Sequence, residues 1–196
     1  RTAPPELPVV LGHEVVGAVD AFGAETSRFE PGARVGVGWF YSSCGRCEQC
    51  RSGRENLCDS FKATGRDTDG GYAQYMVVPE SSAHPIPKRF GDTEAAPLLC
   101  AGGVGYRSLR RAHLREEGVL GFYGFGASAH LVLQMARHEY PGSRLFVFTR
   151  SPGKQEFARS LGADWAGPPG ADPPEEPDAI IDTTPAWVPV IRALEV

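Results

Sequence analysis

No apolar run in the 196 residues approaches the roughly 20 that a membrane span needs, so no membrane partner is expected. The opening RTAPPELPVV does not read as a secretory signal peptide, which leaves a reducing cytoplasm as the expected compartment. Excess basic charge is also missing. Lys and Arg number 20 against 24 Asp and Glu, for a net charge of −4, and the two signs are interspersed, so no nucleic-acid partner is expected. Internal repeats are absent. With 41% hydrophobic and 22% charged residues, whole-chain disorder is excluded. Cysteine is scarce, and its five copies are unevenly placed: all but Cys100 fall between positions 44 and 58.

That uneven placement is the strongest signal. Cys44, Cys47, Cys50 and Cys58 stand at the spacing C-x2-C-x2-C-x7-C in CGRCEQCRSGRENLC. Zinc binds thiolate at about 2.3 Å in a tetrahedron, so four sulfurs leave no open position and the expected site is structural, not catalytic. Two disulfides are the competing explanation, but such short spacings favour chelation over bridging and nothing else points to an oxidising compartment.

The chain changes character near residues 90 to 101. Before that point, glycine, proline and short β-branched runs such as VVGAVD, ARVGVGWF and YAQYMVVP predict irregular β structure. From about Asp92, helical segments alternate with short apolar strands, the signature of a parallel α/β unit. Expected elements are strands over 119–123, 145–149 and 178–182 and helices over 127–139 and 154–163. The Pro-rich GPPGADPPEEP should be a surface connection.

Gly124, Phe125, Gly126, Ala127, Ser128 and Ala129 directly follow the first of those strands and open the helix, matching G-x-G-x-x-G/A in the setting that gives the pattern meaning. Gly124 permits a tight turn, Gly126 lets backbone approach a pyrophosphate, Ala129 keeps helix and strand close, and the helix N-terminus offers free N–H groups. An NAD-selective site usually ends its second strand with a carboxylate for the ribose 2′-hydroxyl. Here stand Thr149, Arg150 and Ser151, with Lys154 a turn later. A guanidinium and hydroxyls suit a 2′-phosphate, so NADP(H) is favoured over NAD(H).

His13 and Glu14 sit in the apolar stretch PVVLGHEVVGAV, where ionisable groups need partners. Taken alone, a His in such a run is more often a hydrogen-bonded core residue than a metal ligand, so His13 by itself does not establish a site. Cys100, in EAAPLLCAGGVGY, taken alone is a small buried hydrophobe.

The order GHE, four-cysteine loop, DGGYAQYMVVP, AAPLLCAG and YGFGASAH resembles the zinc-dependent alcohol dehydrogenases of the medium-chain dehydrogenase/reductase family over nearly the whole chain. The resemblance implies a GroES-like β domain over 1–100 followed by a Rossmann domain of doubly wound parallel sheet over 101–196, with the active site in the cleft between them. It implies a catalytic zinc bound by His13 and Cys100, with Glu14 a carboxylate that ligates it transiently, and a structural zinc on the four clustered cysteines. Gly124, Phe125, Gly126 and Ala127 would meet the pyrophosphate, and Thr149, Arg150 and Lys154 would lie at the adenosine ribose. The implied activity is hydride transfer between NAD(P)(H) and a small-molecule alcohol, aldehyde or ketone, in a homo-oligomer of two or four chains.

The family's earlier cysteine ligand and its proton-relay residues are not found ahead of His13, and the chain stops soon after DAIID. It is therefore expected to be a piece cut at both ends, with the Rossmann sheet incomplete and no activity by itself. Within the superfamily, zinc-free quinone or enoyl reductases are the alternative, but they need neither His13 with Cys100 nor the cysteine loop. A zinc-loop binding module is an alternative of another class. It predicts basic residues round the loop, and Arg46, Arg51 and Arg54 are there, but the overall acidity and the nucleotide turn weigh against it.

Overall fold

The computed structural model describes residues 7–195; the first six residues of the RTAPPELPVV opening lie outside the described ones. The chain divides into two compact units, Arg1–Cys100 and Ala101–Val196.

The first unit is built of short strands: β1 (Val15–Ala18), β2 (Arg34–Val37), β3 (Phe40–Ser42), β4 (Lys62–Ala63) and β5 (Ala83–Pro85). β2 is the centre of an antiparallel β1-β2-β5 sheet, with Val16 opposite Gly36 and Val35 opposite Pro85, while β3 and β4 form a separate pair. The run ARVGVGWF breaks into two strands at Gly38, where a Cβ would come within 2.6 Å of the Leu99 carbonyl oxygen. A Cβ at Gly36 would likewise strike Leu99, at 2.7 Å from Cδ2. Glycines on β2 and just after it thus let the 96–99 turn, and Cys100 behind it, lie close to the sheet. Two short helices complete the unit, α1 (Glu48–Arg51) in the cysteine loop and α2 (Asp92–Ala95) before that turn. Asp92 accepts from Arg34 of β2 at 2.5 Å, tying α2 down.

YAQYMVVP departs from expectation. Its residues form no strand, and Tyr72, Tyr75 and Val77 are exposed. Strand structure needs a paired edge as well as β-branched and aromatic residues. Among the described residues β2 pairs with Ala83–Pro85 instead, and the cross-chain pairing of 70–72 with 10–12, ending in the Tyr72 N–H bond to Leu11 O at 2.9 Å, does not continue into a ladder along 73–79.

The second unit runs α3 (Ala101–Ala112), β6 (Val119–Tyr123), α4 (Ala127–Glu139), β7 (Arg144–Phe148), α5 (Pro152–Ser160), β8 (Trp165–Gly167), β9 (Ala179–Asp182) and α6 (Trp187–Ala193). Its strands are all parallel in the order β8-β7-β6-β9, with Leu120 opposite both Leu145 and Ala179. β6 is buried at every position, as expected of a strand covered on both faces, which explains the unbroken apolar VLGFY. Leu120, Phe122, Leu133 and Leu145 are fully buried in one core layer, while Tyr123 stacks on Phe148 at 4.4 Å in the other. The strand starts are held by carboxylates. Asp178 accepts from the Val119 N–H at 2.8 Å and Asp164 from the Leu145 N–H at 2.8 Å.

The second expected strand is shifted by one residue, leaving Thr149 just beyond it, and α5 starts at Pro152 where 154 was expected. Proline suits the first turn of a helix, whose N–H groups have no partner inside the helix. The same helix stops short of 163: Ala163 N–H returns to Ala158 O and Gly162 N–H to Arg159 O, around Gly162 at φ 102. Helix α3 was not anticipated, because its three glycines weaken helix propensity. One of them is required by packing, since a Cβ at Gly105 would come 2.1 Å from Val132 Cγ2 on α4.

Candidate functional site

Cys44 and Cys47 precede α1, Cys50 lies within it and Cys58 follows the 55–57 turn, so one compact loop folds four thiols inward. Gly45 at φ 68 and Gly53 at φ 71 make the reversals. All four sulfurs lie within 4.8 Å of one another, with Cys47 and Cys50 at 3.5 Å and Cys44 and Cys50 at 3.9 Å. A tetrahedron with metal–sulfur bonds of about 2.3 Å has sulfurs about 3.8 Å apart, so the arrangement fits one zinc ion.

The electrostatics agree with that fit. Backbone N–H groups of Arg46 and then Cys47 pull the Cys44 thiol down to about 6. At Cys47 the backbone N–H of Cys50 lowers the pKa, but the neighbouring sulfurs and burial outweigh it and push the thiol up to about 11. The Ser43 hydroxyl, 3.4 Å from Cys50 Sγ, is the largest influence lowering the Cys50 thiol. Close-set sulfurs resist sharing negative charge, and a bound cation removes that resistance. The Ser43 contribution was not foreseen, since a serine beside a cysteine carries no spacing signal.

Among the described residues this is the one cluster of three or more potential metal-ligating groups. His13, Glu14 and Cys100 are placed differently. His13 and Glu14 line a cavity of about 840 Å³ with Trp39, Arg66 and Tyr72, and the His13 ring stands edge-on to Trp39 at 4.8 Å. Cys100 is half-buried; desolvation first, and then the Glu14 charge, push its thiol above the ordinary value. The structure thus couples Cys100 to Glu14 and sets His13 on the cavity wall, without gathering all three ligand atoms into a second cluster. Trp39 and Tyr72 had no recognisable motif; only the folded chain brings them to His13.

The glycine turn lies between β6 and α4. Gly124 adopts φ 81, donates to Phe148 O at 2.9 Å, and could not carry a Cβ without meeting Thr184 Cγ2 at 2.9 Å. Gly126 differs: its φ of −106 is open to other residues and a Cβ there meets nothing within 4 Å. The fold does not need glycine at 126, whereas a ligand approaching the exposed start of α4 would. Ala127 is exposed beside it, Ala129 is fully buried, and the Phe125 ring is buried edge-on to Phe157 at 5.9 Å, leaving only its backbone for a ligand. The first N–H groups of α4 have no intrahelical acceptor. This turn therefore fits a pyrophosphate.

At the end of β7, Thr149 is buried, its N–H donating to Gly167 O at 2.8 Å and its carbonyl accepting from Gln155 Nε2 at 2.8 Å. Gln155, also unforeseen, thereby sets the path of the chain into Arg150. Arg150, Ser151 and Lys154 are exposed.

Residues 1–88 match the alcohol dehydrogenase GroES-like domain. A probable alcohol dehydrogenase, AdhA of Mycobacterium tuberculosis, is 45% identical over 192 residues, which cover 95% of this chain and 55% of that protein. The chain belongs to the medium-chain alcohol dehydrogenase family. Its structure resembles the cinnamyl alcohol dehydrogenase SbCAD4 of Sorghum bicolor, with a TM-score of 0.84 and 33% identity over 96% of this chain and 58% of that one. It also resembles the Helicobacter pylori CAD complexed with NADP(H), with a TM-score of 0.84 and 30% identity over 92% of this chain and 54% of that one. The chain thus spans about half the length of these family members. A GroES-like unit followed by a Rossmann-type parallel sheet is the family's architecture, as the motif order implied. No described helix is long and apolar enough to cross a membrane.

Proposed function

We propose that the protein is a zinc-dependent oxidoreductase that moves a hydride between NADP(H) and an alcohol, aldehyde or ketone. The observation that carries this is the turn at Gly124 and Gly126, where one glycine serves the fold and the other keeps the helix start clear for an anion. The four-cysteine loop is assigned a structural zinc, supported by its sulfur spacing.

His13 and Cys100 are assigned to a catalytic zinc, with Glu14 beside them; the support is the Glu14 charge acting on Cys100 and the place of His13 on the cavity wall. Zinc bound there supplies Lewis-acid polarisation of a substrate oxygen. The chain's own tasks are then positional. Trp39 buttresses the His13 ring, Glu14 offers a carboxylate at the cavity, and Val15, Val16 and Trp39 supply apolar surface beside it.

The preference for NADP(H) rests on Arg150, which is exposed, follows a pinned Thr149, and has Ser151 and Lys154 nearby in place of a carboxylate. Arg150→Ala is expected to weaken NADPH binding by about 1.5–3 kcal/mol, the scale of a hydrogen bond to a charged group, while leaving NADH binding nearly unchanged. Fluorescence titration with both cofactors checks this. Equal losses, or tighter binding of NADH by the unaltered protein, would rule out the assignment.

A further inference from the structure

The carboxylate of Asp182 ends β9, directly opposite Tyr123 at the end of β6. Its Oδ1 accepts from the Thr184 N–H at 2.7 Å, but its Oδ2 is buried and has no hydrogen-bond partner. It is the one such carboxylate oxygen among the described residues. The adjacent hydroxyls do not serve it: Thr183 Oγ1 donates to Tyr123 O at 3.2 Å and Thr184 Oγ1 to Ala186 O at 3.4 Å. Arg192 is committed to Glu195 at 2.8 Å. Leaving a carboxylate oxygen buried and unpaired costs stability, so its persistence calls for a donor that arrives from outside the fold.

The sheet order identifies that donor. From β6 the chain steps one way to β7 and β8 and then crosses to place β9 on the other side, so the crevice at the strand ends opens between β6 and β9. Thr183 and Thr184 form one wall of it, lying within about 3 Å of where a Cβ on Gly124 would stand. A dinucleotide with its pyrophosphate on the Gly124 turn sends one nucleoside toward Thr149 and Arg150 at the end of β7. The other goes toward β9. Ribose hydroxyls are donors, and a carboxylate at a strand end is a proven acceptor for them in such folds.

We infer that Asp182 binds the ribose of the second, nicotinamide-bearing nucleoside through its free Oδ2, so that the acidic ribose contact missing beside β7 is present beside β9. This rests on the nucleotide-binding role proposed above for the turn.

Asp182→Asn tests it, because the amide keeps an oxygen for the Thr184 N–H and puts in place of the free acceptor an NH2 group, which cannot accept from a ribose hydroxyl. NADPH and ADP are titrated against both forms; ADP carries the adenosine and pyrophosphate but no second nucleoside. The expected result is a loss of about 10- to 100-fold in NADPH affinity with ADP affinity unchanged. The melting temperature of the ligand-free variant should be equal or higher, since a buried negative charge without a paired cation is replaced by a neutral amide. Unchanged NADPH affinity, or equal losses for NADPH and ADP, would overturn the inference. So would a variant that melts lower or does not fold, which would place the carboxylate in the architecture. If the unaltered protein binds neither nucleotide, the turn itself is misassigned and the ribose contact falls with it.

Discussion

The two units bury different things. In the second, Phe122, Leu120, Leu133, Leu145 and Phe148 are fully buried between a parallel sheet and its helices. In the first, the buried apolar residues are smaller: Val35, Val37, Ala63, Ala83, Ala95 and the thiol-bearing Cys58. Short strands and small side chains remove less apolar surface from water, so such a unit needs other cross-links, and a closed metal site is one. The contrast also divides the chemistry. The first unit offers thiols, a histidine and a carboxylate on loops, whereas the second offers backbone N–H groups at the end of a rigid strand.

If the second unit depends on its packed core, Phe122→Ala should cost it about 3–5 kcal/mol, the usual price of deleting a buried aromatic ring. Chemical denaturation measures the loss, and metal analysis should show zinc retained in the first unit. A loss of zinc in step with the loss of the core would break the division.

A smaller effect sharpens the same point. The backbone N–H of Val119 first, and then the Arg115 side chain, hold the Asp178 carboxyl below its ordinary value of 3.8. A carboxyl depressed by folding contributes stability above its unfolded value, and that contribution is lost as pH falls through the folded value. Asp178→Asn should therefore lower the melting temperature of the second unit at pH 7, and the gap from the unaltered protein should close as pH drops below about 3.8. The group is partly exposed, so the shift should be modest. A gap independent of pH would mean that the hydrogen bond, and not the charge, matters.

What could be read from the chain followed how local each cause is. β6, the glycine turn and α4 fell at their expected bounds, 119–123 and 127–139, because strand burial, a left-handed glycine and helix periodicity act within a few residues. The cysteine loop was equally legible, since chelate spacing is a local property. Helix α3 was hidden because Gly105 is explained only by Val132 on another helix. YAQYMVVP misled for the reverse reason, having the side chains of a strand while its backbone pairing stops at Tyr72. Trp39 beside His13, and Asp182 beside the Gly124 turn, are tertiary neighbours that no short motif announces.

The division between a metal-held and a core-held unit is tested most directly by hydrogen–deuterium exchange before and after chelation of zinc. Amides of residues 44–58 should lose protection when the metal is withdrawn, while those of β6 and β7 keep theirs. Unchanged protection in the cysteine loop, or equal loss in both units, would contradict the account.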